Sequence, residues 1–169
     1  MPKAIPDSSV VINLAGIQRL TLLREFHDPV VVPPAVVQEV VEEGQGQPGS
    51  GELKAALNDG WISVQEPVNE ALVKALKRNL GDGESEVIAL GTESDDAVLL
   101  LDDKEARVAA RDLGLRQTGI VGVLLRAKLT GRIESLSDEL GRLRNDMGFW
   151  LNDALVARIL VEAEEKDKV

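Results

Sequence analysis

Two rhythms of apolar and polar positions run along this chain. Unbroken apolar runs mark strands buried on both faces, and apolar residues returning every three or four positions mark helices packed against them. The segment Ala4-Ile5-Pro6-Asp7 begins extended. Ser8 and Ser9 then offer N-cap hydroxyls to a helical run over residues 10–15 that stops at Gly16, leaving Asp7 at the strand-to-helix junction. A second helix is expected over residues 18–25, with Leu20, Leu22, Leu23 and Phe26 on its buried side, before His27-Asp28-Pro29 turns the chain. Val30-Val31-Val32 reads as a strand stopped by Pro33-Pro34, and Pro34 or Ala35 opens a helix that ends near Val41.

Residues 44–51, Gly-Gln-Gly-Gln-Pro-Gly-Ser-Gly, form a flexible connection inside the domain. A helix over 52–58, a strand over 61–64, a helix over 70–79 and another from Glu84 to about Thr92 follow. The run Ala97-Val98-Leu99-Leu100-Leu101 predicts a strand buried on both faces, with Asp102 and Asp103 at its carboxyl end. Residues 104–113 form an amphipathic helix closed by Gly114, residues 115–118 are extended, and 119–130, 136–147 and 152–164 are three more helices. Strands alternating with helices predict an α/β fold, a Rossmann-like, mostly parallel sheet flanked by helices.

At 169 residues with 44% hydrophobic composition, the chain suits one domain with one core. Residues 1–169 are read as that domain, with about 132–169 as its C-terminal helical extension. No apolar stretch approaches the ~20 residues of a membrane helix and the start lacks the apolar region of a signal peptide, so the expectation is a cytoplasmic protein with no membrane contact. The absence of cysteine excludes disulfides, thiolate nucleophiles and cysteine zinc sites, and a single histidine, His27, excludes a multi-histidine metal site. A bound metal must therefore be held by oxygen. The net charge of −10 opposes nucleic-acid binding overall, yet residues 104–144 carry nine Lys/Arg against five Asp/Glu, which leaves room for a basic face.

Ligands of open parallel sheets gather beyond the carboxyl ends of the strands, where Asp7 and Asp102 are expected to converge. Carboxylates brought together repel, and a divalent cation relieves that repulsion; an all-oxygen set suits Mg²⁺ or Mn²⁺. Each acid has a plainer reading beside this one. Asp7 serves a helix N-cap, Glu39 lies on a solvated helical face, and Asp102 with Asp103 makes a strand-to-helix turn in which Asp103 caps the helix. Glu84 and Glu86 open a helix where acids suit the dipole, and two positions apart they point roughly 200° from each other. One of them is a ligand, or both lie in a non-helical first turn. His27 reads as an exposed turn residue, Gly119-Ile120-Val121-Gly122 as a weak phosphate cradle, and Trp61 and Trp150 as core or interface aromatics.

The order and spacing of Asp7-Ser8-Ser9, Val32-Pro33-Pro34 with Val36-Val37-Gln38-Glu39-Val40, Gly83-Glu84-Ser85-Glu86-Val87-Ile88-Ala89-Leu90 and Leu100-Leu101-Asp102-Asp103 resemble the PIN-domain family. The likeness extends over nearly the whole chain through Thr118-Gly119, residues 122–128, and Leu143-Arg144 with Gly148-Phe149, and is nearest to a PIN-like subfamily of predicted nucleic-acid-binding proteins. That resemblance implies a metal-dependent endoribonuclease, commonly the toxin half of a type II toxin–antitoxin pair. It also implies that Asp7, Glu39 and Asp102 are acidic metal ligands, with Ser8 beside the first. The family's more common aspartate is replaced here by Glu84 and Glu86, so the fourth ligand stays open between them.

The expected reaction is hydrolysis of RNA phosphodiester bonds with Mg²⁺ or Mn²⁺ at Asp7, Glu39, Glu84 or Glu86, Asp102 and Asp103. Arg107, Arg111, Arg126 and Lys128 are candidate backbone contacts. RNA as substrate, a homodimer and an antitoxin protein are the expected partners. Competing readings are a PIN-like protein that only binds RNA or a partner, a receiver-like domain, for which the late-strand lysine is missing, and an interaction module built on the C-terminal helices.

Overall fold

The computed structural model describes residues 1–165. The last four residues of the expected C-terminal extension lie outside the described residues. Five strands, β1 (Lys3–Pro6), β2 (Val30–Val32), β3 (Ile62–Val64), β4 (Ala97–Leu100) and β5 (Arg116–Thr118), form one sheet in the order β3-β2-β1-β4-β5. All four pairings are parallel, so the sheet is entirely rather than mostly so. Ala4 and Ile5 of β1 and Leu99 and Leu100 of β4 are fully buried, as the continuous apolar runs require of central strands.

The chain walks outward from β1 through β2 to β3, then returns to the other side of β1 for β4 and β5. Right-handed crossovers place the helices before and after that reversal on opposite faces. Accordingly α1 (Ser8–Gly16), α8 (Ile120–Leu129) and α9 (Leu136–Asp146) pack on one another, while α6 (Asp82–Thr92) packs on β1, β4 and α7 (Lys104–Asp112). The reversal lies between β1 and β4. Their register pairs Pro6 with Leu100, so Asp7 and Asp102 leave the sheet side by side.

Several local expectations change. The α1 N-cap is Asp7, whose Oδ1 accepts from the Val10 amide at 2.8 Å; a carboxylate one position before the serines reaches the amide they were expected to serve. The second helix, α2, is only Leu22–Phe26, because Gln18 adopts a left-handed φ of 61° and breaks the periodic stretch. The helix opened by Pro34, α3 (Pro34–Val37), passes into a π-helical turn over Gln38–Glu42. The connection over 44–51 ends in α4 (Ser50–Asp59), and Glu52 accepts from the Gly49 amide at its start. Further along, α5 (Glu70–Leu76) buries no residue, and α10 (Asp153–Glu162) closes the described chain.

His27 is buried rather than exposed: its Nδ1 meets the Pro2 carbonyl at 3.2 Å, which anchors the ring beneath the first strand. Trp150 is exposed, and Trp61 is half-buried under Arg24, 5.4 Å from the ring centroid. One apolar cluster reaches from Ala4 to Ala163. It includes Leu136, Leu140 and Leu143 of α9, which is clamped by a buried acid. Glu139 accepts from Arg19 at 2.6 Å and from Arg142 at 3.2 Å, and Arg142 also donates to the Ile17 carbonyl at the end of α1. Removing the buried acid leaves both arginines without that partner and unties α9 from the end of α1. Glu139→Ala is expected to cost roughly 2 kcal/mol, discounted for the half-exposed arginines, and to appear as a lowered urea midpoint with an unchanged m-value.

Candidate metal centre

The candidate centre is built from acids at the starts of α1 and α6, at the end of β4 and in the turn after α3. Asp7 is 1% exposed. Its Oδ1 is committed to capping α1, whereas its Oδ2 is buried with no hydrogen-bond partner. Asp102, just beyond β4, repeats the arrangement: Oδ1 accepts from the Ile120 amide at the start of α8 at 3.0 Å, and Oδ2 is buried without a partner. Among the described residues these are the two buried side-chain atoms so left. Gly119 makes the Asp102 contact possible, since a Cβ there would stand 2.8 Å from Asp102 Oδ1. The first turn of α8 therefore serves Asp102 and is not a free phosphate cradle.

Glu39 is brought in by the π-helical turn, a distortion often found at functional positions. Its Oε2 accepts from the Ser8 hydroxyl at 2.6 Å and its Oε1 from the Gly83 amide at 2.8 Å. A side chain at Gly83 would collide with Glu39, so glycine is required at that approach. Glu84, half-buried in the first turn of α6, has its pKa raised by burial first and then by the charges of Asp103 and Glu39. Its own charge in turn raises the pKa of Asp7. Asp7, Asp102, Glu84 and Glu39 thus share one field of mutual repulsion.

The two remaining acids have other work. Glu86 Oε1 accepts from the Ala35 amide at the opening of α3, and the side chain lines the cleft with α5. Asp103 Oδ2 caps α7 through the Ala106 amide at 2.9 Å, although its charge still reaches Glu84. Among the described residues no three acids are drawn close enough to grip a single ion as they stand. The inner pair is Asp7 and Asp102, with Glu84 and Glu39 as the outer members.

The electrostatics follow from burial. Asp7 is pushed up to about 8, chiefly by desolvation, with the charges of Asp102 and Glu84 adding to it and the Val10 amide opposing. Burial also raises Asp102, against the Ile120 amide and the nearby Arg107 charge. Arg107 is held by a bond from its Nε to Gln117 Oε1 at 2.9 Å, which sets a cation at the edge of the acidic crevice. A sequence reading had no means of finding Gln117, Ile120 or the Gly83 amide as supports, because each acts through tertiary contact alone. Arg111 is exposed, Lys128 pairs with Glu165, and Arg126 stacks on Phe26.

Two adjacent strand ends that each present a bare, buried carboxylate oxygen fit a divalent cation of the hard, oxygen-preferring kind. The donor set is all oxygen, and the two spare oxygens have no hydrogen-bond partner.

A family model described as a PIN domain, DUF3368, matches residues 3–165. No curated protein matches the chain. Among solved structures it is similar to a PilT N-terminus domain protein, SSO1118, from the hyperthermophilic archaeon Sulfolobus solfataricus P2. The TM-score is 0.56 at 20% identity, covering 74% of this chain and 92% of that one. At that identity the likeness shows the shared fold.

The raised Asp7 pKa makes stability depend on pH. The unfolded chain releases this proton near 3.8, while the folded protein keeps it to about 8. Stability from this group is therefore complete below the unfolded value and is withdrawn as pH rises toward the folded one. Without divalent metal, the melting temperature is expected to fall between pH 5 and pH 8, by up to about 1.4 kcal/mol of stability per pH unit. Asp7→Asn should flatten that fall and melt higher than wild type at pH 8. Scanning calorimetry in a chelator decides it, and equal slopes for the two proteins would refute the assignment.

Proposed function

The chain belongs to the PIN-domain family, whose members are generally nucleases. From that premise we propose that it is a metal-dependent endoribonuclease, hydrolysing RNA phosphodiester bonds with Mg²⁺ or Mn²⁺ at Asp7 and Asp102, assisted by Glu84 and Glu39. The observation that carries this reading is the pair of orphaned carboxylate oxygens at neighbouring strand ends. A bound divalent cation would supply Lewis-acid stabilisation of the phosphoryl oxygens and make water acidic enough to attack at neutral pH.

The chain's own residues prepare that site. Asp7 and Asp102 are each held by one oxygen, through Val10 and Ile120, so the other oxygen is fixed in place at no further entropic cost. At neutral pH the Asp7 carboxyl retains its proton on burial, and Asp7 would give up that proton on holding a cation. Ser8 and the Gly83 amide hold the two oxygens of Glu39 in a defined orientation. Arg107 stands where it can receive a phosphate oxygen and offset the crowd of acids.

The finer reading is the toxin half of a type II toxin–antitoxin pair, working as a homodimer. What supports it is the chemistry of the crevice, which a partner's arginine could neutralise in place of the metal. No described helix is long and apolar enough to cross a membrane. The rival reading, a PIN protein that only binds, draws on the net charge of −10.

RNA cleavage in Mn²⁺ separates enzyme from binder. Wild type should cleave, and Asp7→Asn, which preserves the α1 cap through its amide oxygen, should lose about 100-fold or more of the rate while staying folded. Cleavage absent from the wild type in every divalent ion, or undiminished in the variant, would leave the binder as the better reading.

A further inference from the structure

Away from the acidic crevice, a cavity of about 280 Å³ opens between β5, α8 and the end of α2. None of Asp7, Glu39, Glu84 or Asp102 lines it. Its walls carry the reverse chemistry, with two arginines, a threonine and the only histidine in a chain of net charge −10.

Arg126, on α8, lies flat over Phe26 at 4.4 Å from the ring centroid. Stacking fixes the guanidinium plane and leaves its N–H edge free, and among the described residues no carboxylate pairs with it. Arg116 on β5 is tied to Asp96 by a surface ion pair, a type that contributes little and yields to a better anion. Thr118 shares the strand face of Arg116, two positions on, and its hydroxyl stands where any side chain at residue 122 would collide with it; Gly122 keeps that room. His27, 5% exposed, meets the Pro2 carbonyl with Nδ1, so Nδ1 carries the hydrogen. Among the described residues its Nε2 has no protein partner.

We propose that this cavity is a second site, binding a phosphate group between Arg116, Arg126, Thr118 and His27. Forked guanidinium donors, a hydroxyl and an imidazole nitrogen together match the several oxygens of a phosphate. The phosphate can belong to a free phosphate ester or to the backbone of an RNA strand. Burial, followed by the charges of Arg126 and Arg116 and more weakly the Met1 amine, keeps His27 below its ordinary pKa while the cavity is empty. An anion seated among these groups reverses that balance and favours the imidazolium.

A single histidine makes the test direct, because imidazole NMR of the whole chain reports His27 alone. The protein is held in EDTA at fixed ionic strength and titrated with pH. The probes are inorganic phosphate, adenosine monophosphate and an RNA of roughly 12 nucleotides. The His27 pKa is expected to rise by roughly one unit with at least one probe. Arg126→Gln, or Arg116→Gln if the first variant does not fold, should abolish the rise, and Asp7→Asn should leave it intact. A rise with phosphate or the mononucleotide assigns the site to free esters, and a rise with RNA alone assigns it to the strand backbone. No rise with any probe, a rise reproduced by chloride, or one that survives the arginine substitution would overturn the proposal. Since no turnover or metal is involved, this outcome is independent of the cleavage assay.

Discussion

Two carboxylate oxygens, Asp7 Oδ2 and Asp102 Oδ2, are buried beyond adjacent strand ends without a hydrogen-bond partner, and much of the chain works to keep them there. An unsatisfied buried polar atom costs about 1–3 kcal/mol, and two that share a crevice also repel when charged. In a parallel sheet with β1 at its centre, no other placement of these residues is open once Pro6 is registered against Leu100. The reversal of strand order between β1 and β4 creates the crevice, and the helices that cover opposite faces of the sheet wall it off. Metal-free, the pair relieves its repulsion by holding a proton on Asp7, and a divalent cation would relieve it in the same way.

The surrounding contacts make that strained pair rigid. Each inner acid gives one oxygen to the amide of a helix start, Val10 for Asp7 and Ile120 for Asp102, so helix geometry fixes the second oxygen. Glu39 is drawn in by two donors from α1 and α6, and the π-helical turn supplies the change of phase that lets it face them. Farther out, the Glu139 clamp ties α9 to the end of α1, the helix that begins at Asp7. Burial of Leu136, Leu140 and Leu143 supplies the larger share of that attachment, as apolar area does in most cores.

The strands and the inner acid pair were legible in the sequence because continuous apolar runs identify central parallel strands, and such sheets present their carboxyl ends to ligands. Features that depend on tertiary contact were not. Glu84 and Glu86 have the same local chemistry, and only the opening of α3 beside Glu86 separates their roles. Asp7 outcompetes Ser8 as N-cap because it is the residue with extended backbone at the start of α1, and Ser8 is then free for Glu39. His27 looked like turn chemistry from its neighbours Asp28 and Pro29, yet its ring is taken inward by the Pro2 carbonyl. The late start of the second helix follows from the left-handed Gln18, which no periodicity reveals.

If the crevice is a cation site, free Mn²⁺ should disappear from the EPR spectrum as metal-free protein is added at pH 8, and the binding should weaken as pH falls and Asp7 regains its proton. Asp102→Asn, which keeps an oxygen for the Ile120 amide but removes the second charge, should abolish that uptake. Mn²⁺ that stays free beside the wild-type protein, or that binds the variant equally well, would contradict the assignment of the Asp7–Asp102 pair as a metal centre.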